Sequence, residues 1–246
     1  MKPRVSIVVP VYNEGDAVTG FLDRLLDAVG LPCEVLVCYD FAEDTTAPHL
    51  ASYAERDARV VPTLNTYGRG PANAIRFGIA HAQADVVVVT MADGSDDPHA
   101  IEPLTELVER GAVVGVASRY SKGGRQVGGP FVKRTMSRMA GLSLALLARV
   151  GTYDATNNFK AYSKRFLDEV GIDSEKGFEI ALELVAKARR LRLPVAEIPT
   201  VWTDRAAGTS NFKLLTWLPL YLRWYFFAFG PRLDPAKLRQ RTRSAA

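Results

Sequence analysis

The stretch Val86 to Asp97, VVVVTMADGSDD, constrains the fold more than any other. Four successive valines with no polar interruption before Thr90 describe a central parallel strand covered on both faces. The run stops in Asp93, Asp96 and Asp97, so carboxylates are placed at the carboxyl end of that strand. In an open α/β sheet, ligands bind in the crevice beyond those ends. Three close carboxylates repel unless a cation joins them. A hard divalent ion suits this chemistry, because Mg²⁺ takes one or two protein carboxylates and fills its shell with water and phosphate oxygens at about 2.1 Å. Asp97 followed by Pro98 also reads as an ordinary helix start, and Asp96 divides between the two readings. Asp93 is left as the functional candidate.

Strand and helix patterns alternate around this stretch. Val5–Val9 reads as a buried strand, and Ala17–Ala28 as an amphipathic helix with Val18, Phe21, Leu22, Leu25 and Leu26 on one face. Glu34–Cys38 is a second strand, ending in YDFAEDTT, which puts Asp40 beside the same crevice. Glu43 and Asp44 read as turn residues, with Asp44 or Thr45 as a helix N-cap. Val60–Thr63 is a third strand, before a loop whose Gly68 and Gly70 flank Arg69 and lead into a helix; that arrangement favours an anion. A helix over His99–Glu109 and a strand over Ala112–Ala117 complete the first half. The alternation predicts a Rossmann-like, doubly wound, mostly parallel sheet. Neither G-x-G-x-x-G nor G-x-x-x-x-G-K-[ST] occurs after the first strand, which argues against a dehydrogenase or a P-loop enzyme.

The net charge of +4 hides an asymmetry. Residues 1–118 carry 8 Lys/Arg against 17 Asp/Glu, whereas residues 119–246 carry 23 against 10. Between Arg119 and Val150 there are seven basic residues and no acid. Arg134 and Arg138, four apart on a predicted helix over Phe131–Val150, share a face and with Arg119 form a candidate anion site; Arg149 reads as a solvated charge. The segment TNNFKAY, Thr156–Tyr162, predicts a further strand, Phe178–Leu191 a helix, and EIPTVW a strand that meets DRAAGTSNF, where Arg205 either clamps a phosphate or lies in an exposed turn.

Leu214–Phe229 is rich in Trp, Tyr and Phe but too short for the about 20 apolar residues of a membrane span, and Pro219 and Arg223 interrupt it. With the basic residues Arg232, Lys237, Arg239, Arg241 and Arg243 behind it, the segment suits a helix at an acidic lipid surface, or else one packed on the domain. The start of the chain shows no secretory signal, so a cytoplasmic protein is expected. Cys33 and Cys38, five apart in a strand, fall on opposite faces and form neither a redox pair nor a zinc knuckle. His49, His81 and His99 show no metal-ligand spacing, and the basic residues come without a recognition helix or stacking platform for nucleic acid.

The residues PVYNE, Asp40, the N-x-x-G-x-G loop Asn65–Gly70, MADGSDDP, Ser118–Tyr120 and DRAAGTS, in this order, resemble family 2 inverting glycosyltransferases of the GT-A fold. The resemblance is nearest to the dolichyl-phosphate mannose synthase-like branch and runs from Val5 to about Phe212. It implies a catalytic domain over residues 1–212, divided into a nucleotide-sugar half (1–118) and an acceptor half (119–212), followed by a membrane-facing helix and basic tail over 213–246.

It further implies transfer of a hexose, mannose or glucose, from a GDP- or UDP-sugar to a polyprenyl phosphate at the inner membrane face, with Mg²⁺ or Mn²⁺ as cofactor. Carried over, Pro10, Tyr12, Glu14, Asp40, Gly68, Gly70 and Asp93 bind the nucleotide sugar. Asp93 and Ser95 hold the metal, and Arg119, Arg134, Arg138 and Ser210 take the acceptor phosphate. Asp93, Arg119 and Arg205 are the catalytic set. Two positions depart from the family pattern: Met91 stands where D-x-D has its first aspartate, and Tyr39-Asp40 stands where a D-D pair is usual. A thioether does not replace a carboxylate on Mg²⁺. A hydroxyl acceptor in polysaccharide synthesis, or an inactive nucleotide-sugar- or lipid-binding module, are the competing readings.

Overall fold

A computed structural model describes residues 2–204 and 214–234. The expected alternation is realised in order: β1 (Val5–Pro10), α1 (Ala17–Ala28), β2 (Cys33–Tyr39), α2 (Ala47–Arg56), β3 (Val60–Leu64), α3 (Pro71–His81) and β4 (Val86–Val89). A 3₁₀ turn at Pro98–Ala100 then leads into α4 (Ile101–Glu109) and β5 (Val114–Ser118). The second half contains β6 (Arg125–Val127), α5 (Phe131–Ser143) with a π-helical turn at Leu144–Ala148, β7 (Lys160–Ser163), α6 (Lys164–Val170), α7 (Ile180–Leu191), β8 (Val195–Pro199), β9 (Val201–Thr203) and α8 (Leu214–Ala228).

Seven strands form one sheet in the order β3-β2-β1-β4-β7-β5-β8. All neighbours are parallel except β7, which runs antiparallel to both β4 and β5. The expected mostly parallel sheet is therefore present, and the TNNFKAY segment contributes a strand only from Lys160 onward. Its direction could not be read from residue type. β6 and β9 pair as a separate two-stranded ribbon, because the EIPTVW segment breaks at Thr200, whose amide and carbonyl bond Ser118 and Arg125.

The valine run behaves as its pattern requires. Val86 and Val88 enter the core beneath α1, α2 and α4, while Val87 and Val89 enter the opposite core beneath α3 and α7. Cys33 and Cys38 are free, buried and divided between the two cores. On the second face, Gly78 lets α3 lie close to the sheet: a Cβ there would come within 2.5 Å of Val8 Cγ1 and 2.8 Å of Cys38 Sγ.

α8 is not detached from the rest. Trp224 and Ala228 are buried in the α3/α7 core, and Trp224 donates its indole N–H to Ser174 Oγ at 3.1 Å. The other side of α8 leaves Leu222 and Phe226 exposed. Among the described residues, no helix is long and apolar enough to cross a membrane.

Candidate active site

The parallel strands β1, β2, β3, β4 and β5 deliver their carboxyl ends to one edge of the sheet, and the antiparallel β7 delivers its amino end there. A cavity of about 1410 Å³ opens along this edge. Its polar side includes Glu14, Asp40, Asp93, Asp96, Lys133 and Arg134; its apolar side is built by α5 and by Trp217, Leu218, Tyr221 and Leu222 of α8. The two halves inferred from charge thus face one another across a single space.

The loops after β1 and β2 are bound together. Asp44 accepts hydrogen bonds from the Asn13 and Thr46 amides, and Thr46 Oγ1 accepts from the Glu14 amide at 2.9 Å. Asp44 is therefore more than the turn residue expected: it holds the PVYNE loop, where Asn13 adopts φ 53°, and α2 starts after Thr46. Pro10, Tyr12 and Glu14 line the cavity, with Tyr12 half exposed and its ring edge-on to Phe41 at 5.8 Å. The Arg69 guanidinium lies 5.0 Å from the same Phe41 ring.

Asp40 fixes the third loop. Its two oxygens accept from Asn65 Nδ2 and from the Gly70 amide, both at 2.8 Å. Gly70 lines the cavity at φ 119°, and a Cβ there would meet the Lys176 carbonyl at 3.0 Å. Gly68, at φ 103°, shapes the turn and does not reach the cavity wall.

In the acidic turn after β4, Asp93 Oδ1 accepts from the Ser95 amide at 3.0 Å. Asp96 Oδ2 accepts from Thr90 Oγ1 at 2.9 Å. Burial, then the neighbouring Asp93, push the Asp96 carboxyl up to about 7. Asp97 accepts from the His99 amide and starts the 3₁₀ turn, as the helix-start reading required. Ser95 is buried away from the cavity wall, and its Oγ has no hydrogen-bond partner among the described residues. The carboxylate beside Asp93 on the cavity wall is Asp96.

No group of three or more His, Cys, Asp or Glu side chains able to hold an ion occurs among the described residues. Two hard carboxylates on the cavity wall, Asp93 and Asp96, still fit a divalent cation that completes its shell with water and phosphate oxygens. Met91 lines the cavity but offers only a soft sulfur.

Arg119 lines the cavity too, with its charge already engaged. Its Nε and Nη2 donate to the two Asp154 oxygens at 2.8 Å each, and Nη2 also reaches Ser137 Oγ at 3.3 Å. Burial works against this guanidinium, but Asp154 outweighs it and holds the pKa above the ordinary arginine value. Arg134, half-buried in the first turns of α5 beside Lys133, faces the cavity; Arg138 is exposed and outside its wall. Arg205 and Ser210 lie outside the described residues, as do Lys237, Arg239, Arg241 and Arg243.

Two residues absent from the sequence reading organise this region. Asp154 is fully buried and stands four positions beyond the acid-free stretch, so counting charge up to Val150 could not reveal it. Lys160 is fully buried in β7, its ammonium donating to the carbonyls of Asp154, Ala155 and Asn157. Burial pushes that ammonium down to about 7.

The sheet, with an acidic turn after β4, a basic helix opposite and one shared cavity, has the GT-A fold. Residues 6–171 match the family described as glycosyl transferase family 2, and the chain belongs to that family. It is 30% identical over 216 residues to a dolichol-phosphate mannosyltransferase of Pyrococcus furiosus, an alignment covering 85% of this chain and 59% of that one. It is 28% identical to a polyprenol monophosphomannose synthase of Mycolicibacterium smegmatis, with 85% and 81% covered. Glucosyl-3-phosphoglycerate synthase from Mycobacterium tuberculosis, crystallised with Mn²⁺, uridine diphosphate and glucosyl-3-phosphoglycerate, shares the fold with a TM-score of 0.65. That similarity covers 94% of this chain and 81% of the other at 17% identity.

Proposed function

We propose that this glycosyltransferase moves a hexose, mannose or glucose, from a nucleoside-diphosphate sugar to a polyprenyl phosphate, with inversion, at a membrane surface. One observation carries the reading: a single cavity joins a carboxylate-lined end at the strand termini to an apolar, aromatic end built by α5 and α8, with Lys133 and Arg134 on its wall. A donor diphosphate suits the first end and a lipid phosphate the second. The names of the Pyrococcus and Mycolicibacterium relatives support the same substrate classes.

In the reaction, an oxygen of the acceptor phosphate bonds to the anomeric carbon as the bond from that carbon to the diphosphate oxygen breaks. The electron pair leaves with the nucleoside diphosphate. A phosphate monoester is already anionic at neutral pH, so no strong general base is needed. The barrier lies in bringing two anions together. Lys133, Arg134 and the positive end of the α5 dipole attract the acceptor phosphate. Asp93 and Asp96 would hold Mg²⁺ or Mn²⁺, which when bound offsets the charge on the diphosphate. Tyr12 and Phe41, with Arg69, offer faces for the nucleoside, while Asp40 keeps the Asn65–Gly70 loop in position. The aromatic wall of α8 excludes water and shelters the first isoprene units.

A hydroxyl acceptor is the second reading, in which Asp96 on the cavity wall would serve as general base instead of as a metal contact. Purified protein incubated with GDP- and UDP-hexoses, Mn²⁺ or EDTA, and either polyprenyl phosphate or soluble hydroxyl acceptors separates the two. Metal-dependent glycosylation of the lipid phosphate is expected, and transfer only to a hydroxyl would replace it.

A further inference from the structure

A second cavity, of about 720 Å³, lies at the far ends of the helices that wall the first. It forms where the π turn after α5, the end of α7 and the end of α8 meet. Arg149, Arg189, Arg190, Arg192 and Arg232 line it, and among the described residues no acidic one does. Two of the five have internal partners: Arg189 donates to the Ala148 and Gly230 carbonyls, and Arg190 to the Pro231 carbonyl. Those contacts tie the helix ends together and explain both residues without any ligand.

The other three are not so explained. Arg149, Arg192 and Arg232 are exposed, and among the described residues their side chains make no hydrogen bond or ion pair. Arg149 and Arg192 both adopt the left-handed conformation, at φ 57° and 58°, where their helices end. Like charges crowd here at a cost: burial, then Arg189, hold the Arg190 pKa below its ordinary value. The surroundings are apolar and outward-facing, with Leu146, Leu147, Phe226 and Phe229 all exposed. Phe229 in the arginine cavity, just past α8, lies seven positions after Leu222 in the catalytic cavity, about 10 Å at the helical rise.

We infer that this arginine cavity binds the phosphate headgroups of acidic lipids and docks the protein on an anionic membrane. Five cations around one hollow complement several headgroup phosphates, and the exposed Leu and Phe side chains beside it suit the headgroup–acyl boundary. An acidic protein partner is the competing occupant, and a protein that fails to partition onto anionic vesicles would point to it. Docking here would turn the apolar ends of α5 and α8 toward the bilayer, which is where a polyprenyl acceptor would enter. The inference rests on the lipid-acceptor reading only for this last consequence; headgroup binding stands or falls separately.

The test is co-sedimentation of the full-length protein with vesicles of phosphatidylcholine alone or with 30 mol% phosphatidylglycerol, a composition of ~one-third anionic lipid chosen to give a strong surface potential. The comparison variant is Arg149→Gln/Arg192→Gln/Arg232→Gln, which breaks no internal contact. Lys2→Gln/Arg56→Gln/Arg110→Gln removes three exposed charges elsewhere and serves as the control. The wild type and the control should partition to anionic vesicles at least about tenfold better than to neutral ones, and the arginine variant should lose about tenfold or more of that preference. Its transfer to a short, water-soluble prenyl phosphate should stay unchanged, which separates docking from catalysis. Unchanged partition of the variant would assign the attraction to the basic tail and overturn the inference. So would displacement of the protein from vesicles by low-millimolar inorganic phosphate, which would mark a soluble-anion pocket.

Discussion

Arg119 and Asp154 form a two-pronged ion pair at the rim of the sheet, with both N···O distances at 2.8 Å and the carboxylate fully buried. Asp154 Oδ2 also accepts the Arg119 amide at 2.9 Å, so one carboxylate fixes backbone and side chain together. The pair joins the loop after β5 to the loop before β7, and both loops line the cavity.

Removing one partner should strand a buried charge. Asp154→Ala is expected to lower unfolding free energy by about 3–5 kcal/mol. The double variant Arg119→Met/Asp154→Leu should cost less than Asp154→Ala alone. Urea unfolding followed by circular dichroism reads both values, and a cost below about 1 kcal/mol for Asp154→Ala would show that the pair is not structural.

Nucleotide affinity should depend on both carboxylates of the acidic turn. Calorimetry with GDP and UDP in the presence of Mn²⁺ should show at least a tenfold loss for Asp93→Asn and for Asp96→Asn, and a comparable loss on adding EDTA. Met91→Asp, which restores a hard ligand, should tighten binding. Wild-type affinity in Asp96→Asn would return the second metal contact to another group.

Most of the fold was legible because the signals were local. The valine run, the α1 periodicity and the acidic strand ends depend on neighbours in sequence, and β1, α1 and β4 appear where those patterns put them. What escaped was set by distant partners. The reversed direction of β7 is decided by pairing with β4 and β5. The engagement of Arg119 is decided by a residue 35 positions away. At the cavity, Asp93, Asp40 and Arg134 were reachable from residue type and position, whereas Lys160 sits in a strand pattern that ordinarily excludes a buried ammonium.

Gly141 should tolerate no side chain. A Cβ there would lie 2.0 Å from the Tyr153 carbonyl oxygen, which belongs to the backbone beside Asp154 and cannot swing aside. Gly141→Ala is expected to destabilise by about 1–3 kcal/mol. Gly20→Ala in α1, where no atom lies within 4 Å of the added carbon, should instead stabilise by about 0.5–1 kcal/mol. Thermal melts of the two variants should therefore move in opposite directions.

Lys160 gives a pH dependence whose sign follows from its lowered pKa. Below about 7 the native ammonium is charged and its burial cost is fully present. Between about 7 and the ordinary lysine value near 10.4 the unfolded chain binds more protons than the folded one, so this group's contribution to stability rises with pH. The penalty for Lys160→Met should accordingly be larger at pH 9.5 than at pH 6.5, by about 3 kcal/mol. An equal penalty at both values, measured by urea unfolding, would place the native pKa outside this window.

The lipid-acceptor reading is tested most directly by mass spectrometry of the lipid fraction after incubation of purified protein with polyprenyl phosphate, Mn²⁺ and the GDP- or UDP-hexose that binds it best. The expected result is one hexose added per lipid phosphate, in step with nucleoside diphosphate release and lost in Asp93→Asn. Release of nucleoside diphosphate with the lipid unmodified, the sugar passing to water or to a soluble hydroxyl, would contradict it.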